Sequence, residues 1–152
     1  VDQGELIRRT AYAAAAILLT AVTGCSTTPE PPAALPKPWT ELCDVHCSTL
    51  ESLTDESTQK CGRPAGPEQA DCLTRIVTEI SAIERNLPTP DTAGITNDID
   101  TIFTTSEKYS ENQCGSGRVR GSLPAATCTI QSITIETSAR CVLTKMQTAV
   151  ES

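Results

Sequence analysis

The feature that most restricts the fold is a device that occurs twice. Cys61-Gly62 is followed, beyond Pro67, by Cys72, and Cys114-Gly115 is followed, beyond Pro124, by Cys128. A glycine just past the last periodic residue and a proline at the first helical position are stop and start signals for helices. Each stretch therefore reads as a helical hairpin, with a cysteine closing one helix opposite a cysteine one to two turns into the next. A tight hairpin brings such residues to the roughly 5 to 6 Å Cα separation that a disulfide needs. The spacing predicts Cys61 bonded to Cys72 and Cys114 bonded to Cys128.

Hydrophobic periodicity supplies the helices. Leu73, Ile76, Val77, Ile80, Ile83 and Leu87 fall on one stripe after Gly66-Pro67-Glu68. The preceding segment repeats the period through Cys43, Cys47, Leu50, Thr54, Ser57 and Cys61, which predicts one continuous helix to Cys61. A third helix is carried by Ile95, Ile99, Ile102, Phe103 and Ser106, capped by Asp91 or Thr92 and ended by Gly115. The stretch TCTIQSITIET is rich in β-branched residues, and Ile133 and Ile135 stand two apart as in a strand. Ile135, Ala139, Val142 and Met146 keep the helical step, and Ser122 with Pro124 forms a helix entrance, so a long fourth helix is the reading. The expected fold class is all-α, an antiparallel four-helix bundle of two hairpins cross-linked by disulfides. Counting 14 residues back from Cys61 and 13 on from Cys128 sets Cys47 and Cys141 at one height, about 20 Å from the hairpin loops. A third bond, Cys47 to Cys141, is expected there, with Cys43 the second choice for that role and otherwise the odd thiol.

The amino-terminal part gives an address. Residues 8 to 25, RRTAYAAAAILLTAVTGC, combine a basic pair, an apolar run from Ala11 to Val22, and small residues ending in cysteine. That is the pattern of a secretory signal, and the run is shorter than the roughly 20 apolar residues that span a bilayer. Val22-Thr23-Gly24-Cys25 resembles the lipobox of bacterial lipoproteins. The resemblance implies that residues 1–24 are removed, that Cys25 becomes the acylated first residue, and that the protein sits on a bacterial cell membrane facing away from the cytoplasm. Two or three acyl chains make such attachment persistent. Residues 25–38 then form a tether with five prolines after the cysteine, extended at about 3.1 Å per residue, and residues 39–152 form the folded domain.

Composition bounds what that domain does. Without residues 1–24 the net charge is still −7, which argues against nucleic acid and against adhesion to anionic headgroups. Trp39, Phe103 and Tyr109 are its only aromatic residues, too few for a stacking platform. The scattered acids, including Asp98, Asp100, Glu107 and Glu111, read as solvated helix surface, and no catalytic residue and no enzyme activity are expected.

One cluster and one pair of loops remain. CDVHC, residues 43 to 47, holds the chain's single histidine between two cysteines. Cys43, His46 and Cys47 on one turn, with Cys141 as a fourth ligand, suit Zn²⁺ or, for thiols alone, Cu(I). Cysteines paired four apart also resemble those of four-helix copper-storage proteins, which implies Cu(I) as the cofactor of this alternative. The same residues allow thiol-redox chemistry. The bland reading makes Cys47 a disulfide half and implies no cofactor. At the other end, the loops GRPAGP and GSGRVRG place Arg63, Arg118 and Arg120 in an otherwise acidic protein, the expected partner surface. The expectation is therefore a lipid-anchored, non-catalytic binding module with a protein partner at its membrane-distal loops and no nucleic acid. A metal-binding or thiol-redox protein is the alternative. A phage-type surface lipoprotein that blocks DNA entry is a remote third, suggested by size and anchoring alone.

Overall fold

The computed structural model describes residues 38–55, 61, 65–116 and 125–151. Over these the chain is all-helical: α1 (Pro38–Thr54), α2 (Pro67–Arg85), α3 (Thr96–Glu111), a single 3₁₀ turn at Cys114–Ser116, and α4 (Ala125–Glu151). The signal sequence, Cys25, the tether up to residue 37 and the loop arginines Arg63, Arg118 and Arg120 lie outside the described residues.

Each helix follows from its pattern. Pro67 stands at the start of α2, where its missing N–H costs nothing, and Gln69, Cys72, Leu73, Ile76, Ile80 and Ile83 face inward at helical spacing. The α3 entrance is built from a distance: the Asp91 carboxylate accepts from the Thr96 N–H at 2.8 Å and from its hydroxyl at 2.7 Å. Gly94 turns the chain into that entrance with φ +65°, a conformation that a side chain resists. In α4 the inward residues Cys128, Ser132, Ile135, Ala139, Val142, Met146 and Ala149 alternate steps of four and three. This period overrides the β-branched composition. It also separates the two isoleucines that hinted at a strand, since Ile135 is 1% exposed and Ile133 49%.

Two boundaries depart from expectation. The first helix stops at Thr54, and Cys61 is a buried bend residue outside it. The stop is satisfied by tertiary contact, with Arg140 Nε donating to the Thr54 carbonyl at 2.9 Å. The third helix ends at Glu111, before Gly115. Asn112 and Gln113, the latter at φ 57°, turn the chain into the 3₁₀ segment that carries Cys114.

The helices share one core. Trp39, Leu50, Ile76, Ile80, Ile83, Ile95, Ile102, Val142 and Met146 are completely buried. α4 packs along both α1 and α3, and α2 against α1 and α3. Lys145 joins α4 to the start of α3, donating to Asp98 at 2.8 Å and to the Gly94 carbonyl at 3.0 Å. Cys61–Cys72 and Cys114–Cys128 are disulfides with Cα separations of 5.4 and 5.6 Å. Closing loops of this size contributes about 3 kcal/mol each by restricting the unfolded chain.

With so few aromatics, stability rests on these aliphatic contacts. Ile80→Ala is expected to lower the unfolding free energy by about 2 to 5 kcal/mol. Val45→Ala, at a position 65% exposed, should stay within about 0.5 kcal/mol of the parent. Urea titrations followed by circular dichroism measure both.

Candidate functional site

The CDVHC cluster sits midway along α1, on the side that faces α2. Cys43 and Cys47 are bonded to each other across one turn, with a Cα separation of 4.7 Å. The expected bond from Cys47 to Cys141 is therefore not formed, and Cys43 is not an odd thiol. The reason lies in the early end of α1. Heights counted from Cys61 assumed an unbroken helix, but the helix ends at Thr54, which Arg140 reaches. Cys141 is thus level with the end of α1, and Cys47 lies seven residues back, about 10 Å along the axis. Cys141, 5% exposed, is disulfide-bonded as well.

His46 is held by a residue that the sequence reading missed. Its Nδ1 lies 2.7 Å from Glu79 Oε1, and the two side chains are 12% and 18% exposed. The Nδ1–H donates to the carboxylate, which fixes the ring against α2. Glu79 sits between Ile76 and Ile80, on the flank of the α2 stripe; that position was visible in the periodicity, but its partner on another helix was not. In this oxidised state the Cys43 and Cys47 sulfurs are joined to each other rather than available as thiolates. Among the described residues no group of three or more His, Cys, Asp and Glu side chains is arranged to hold a metal ion.

The second assembly is where the Cys61–Cys72 and Cys114–Cys128 disulfides lie. Gln69, 2% exposed, donates from Nε2 to the Cys61 carbonyl and to Ser132 Oγ, both at 3.1 Å, while its Oε1 accepts from the Tyr109 hydroxyl at 2.8 Å. Gly115 lies so close to α2 that a Cβ there would stand 2.8 Å from the Ala70 methyl. The described flanks of both arginine-bearing loops, Cys61 and Ser116, thus leave from one end of the fold. Trp39, the second residue of α1, marks the other end, where its Nε1 donates to Thr92 at 3.1 Å.

Between these ends the surface carries open grooves. One, between α1 and α4, is lined by Ser48, Glu51, Asp55, Arg140, Leu143 and Thr144. Another, between α2 and the end of α3, presents the hydroxyls of Thr74, Ser106, Ser110 and Ser116. Asp98 is the Lys145 partner, and Asp100, Glu107 and Glu111 are exposed. No family model, no curated protein and no solved structure matches this chain.

Burial raises the Tyr109 pKa above its ordinary value near 10.0. The folded protein then keeps this proton to higher pH than the unfolded chain does. Stability from this source is complete below about pH 10 and falls as the pH rises beyond it. Tyr109 is the one tyrosine of residues 26–152. Alkaline absorbance titration of residues 26–152 should place its ionisation above the ordinary value and return it there in denaturant. Tyr109→Phe removes the signal and, by deleting the hydroxyl's bond to Gln69 Oε1, is expected to cost about 0.5 to 1.5 kcal/mol at neutral pH.

Proposed function

We propose that this chain is a lipid-anchored, extracytoplasmic, non-catalytic binding module whose domain is an antiparallel four-helix bundle. The observation that carries the reading is its two-ended layout. The helix that continues the Pro-rich tether begins beside Thr92, whereas the flanks of both arginine-bearing loops leave from the opposite end. A helix of the length of α2 separates the two ends by about 28 Å. An acyl chain on Cys25 then holds one end at the membrane, and a protein partner is expected at the loops whose sequences carry Arg63, Arg118 and Arg120.

Contacts along the helices support the bundle. Lys145 meets Asp98 at the start of α3, and Asn112 at the end of α3 meets Gln131 at 3.4 Å, earlier in α4. Thr54 meets Arg140, and His46 meets Glu79. The first two contacts favour an antiparallel α3 and α4, and the other two bring α1 beside α4 and α2. Disulfides in a domain this small support an oxidising compartment. The open, hydroxyl- and carboxylate-lined grooves suit recognition of a surface rather than enclosure of a substrate. No metal or organic cofactor is part of this reading.

Mass spectrometry of the membrane fraction tests the anchor. The expected amino-terminal peptide begins at Cys25 and carries a diacylglyceryl thioether, and Cys25→Ser shifts the protein to the soluble extracytoplasmic fraction. Recovery of Cys25 in a disulfide would refute this, because the thioether and the disulfide need the same sulfur. Photo-crosslinkers at Arg118 and at Val45 test the orientation: partner adducts are expected at the former and not at the latter.

A further inference from the structure

All seven described cysteines are in disulfides, and one of them differs from the rest. Cys43 is half-buried on the wall of α1. Cys47 and Cys72 are 7% exposed, Cys61 2%, and Cys114 and Cys128 0%. Disulfides open when a thiolate attacks one sulfur and expels the other, and access decides which sulfur is attacked. Of the six cysteines in the assigned pairs, Cys43 is the one an external thiol reaches without unfolding of the helices around it.

The consequence of opening also differs. Cys61–Cys72 and Cys114–Cys128 each tie one helix to the segment before it. Cys43–Cys47 joins residues four apart within α1, so its scission separates no two elements. The turn it spans is held independently. Leu42 and Leu50, 5% and 0% exposed, anchor it in the core, and the His46–Glu79 pair pins it to α2.

We propose that Cys43–Cys47 is a thiol-exchange site, opened by an extracytoplasmic dithiol while the fold and its other bonds stay intact. One thiolate of the dithiol attacks Cys43 Sγ, forming a mixed disulfide as the Cys43–Cys47 bond breaks and Cys47 leaves as a thiolate. The second thiolate of the reductant then attacks its own sulfur in the mixed disulfide and releases Cys43. The protein ends with two thiols carrying the two protons of the dithiol, and the dithiol ends as a disulfide. The reverse sequence reoxidises the site and reduces the partner. This inference is independent of the anchoring reading, and neither test bears on the other.

The test treats the intact exported protein with dithiothreitol under native conditions, quenches with N-ethylmaleimide at successive times, and maps the labels by peptide mass spectrometry. Cys43 and Cys47 are expected to label at least ten times faster than Cys61, Cys72, Cys114 and Cys128, with the helical circular dichroism signal unchanged. With 2-mercaptoethanol as the probe, the early mixed disulfide should sit on Cys43 and the maleimide on Cys47, resolved by fragmentation between them. In the Cys43→Ser/Cys47→Ser variant the fast phase should vanish while the slow phases persist. Labelling of the buried cysteines at a comparable rate, loss of helix signal together with the fast phase, or an adduct on Cys47 would each overturn the proposal. The wild-type rates decide even where the variant does not fold.

Discussion

A single buried amide organises the end of the molecule where the Cys61–Cys72 and Cys114–Cys128 disulfides lie. Gln69 touches the Cys61 carbonyl, the Ser132 hydroxyl and the Tyr109 hydroxyl, so α2, α3, α4 and the segment that enters α2 all meet on one side chain. A buried primary amide left with unused donors or an unused acceptor is costly, whereas a fully paired one admits few alternative packings. Residues with the same apolar face could slide along one another by a turn; a glutamine with three fixed partners resists that slide. The disulfides then lock a register that Gln69 has already chosen, because each joins cysteines whose backbones this network and the close Gly115–Ala70 contact have brought together.

The helices were legible in the sequence where the pattern was local. The stripe of α2 and the Gly66-Pro67 entrance need no knowledge of the rest of the chain. The four-three alternation of α4 is strong enough to outweigh its β-branched residues, since period decides which face is buried and composition only modulates propensity. What was not legible is what another element supplies. The end of α1 depends on an Arg140 guanidinium from α4. Because Cys47 was placed by counting from Cys61, that one unforeseen stop moved it away from Cys141. The same holds for the cluster around His46. Its residue types and spacing stood in the sequence, but Glu79 lies 33 residues away and is brought there only by the packing of α1 on α2.

The sparse aromatic content also explains the distribution of polar ties. An aliphatic core of isoleucines buries surface without direction, so it does not by itself fix how the ends of the helices meet. At one end the directional contacts are those of Gln69. At the other they are Trp39 to Thr92, Asp91 to Thr96, and Lys145 to Asp98 and the Gly94 carbonyl. The loop from residue 86 to residue 95 is thereby clamped between the first turn of α1 and the last third of α4. Trp39, fully buried and hydrogen-bonded, makes the start of α1 one of the better-held places in the fold.

These facts separate two uses of cysteine in one small domain. A bond between elements, fully buried and backed by a hydrogen-bond network, adds stability and is shielded from attack. A bond within one turn of one helix adds little constraint that the helix does not already impose, and its half-buried Cys43 is the more exposed of its two residues. The cost of opening a disulfide is set by what it holds together, and the rate is set by who can reach it. Cys43–Cys47 is low on the first count and accessible on the second. A scaffold held by its other contacts can therefore lose this bond and remain the same scaffold, which separates the proposed exchange at this position from unfolding.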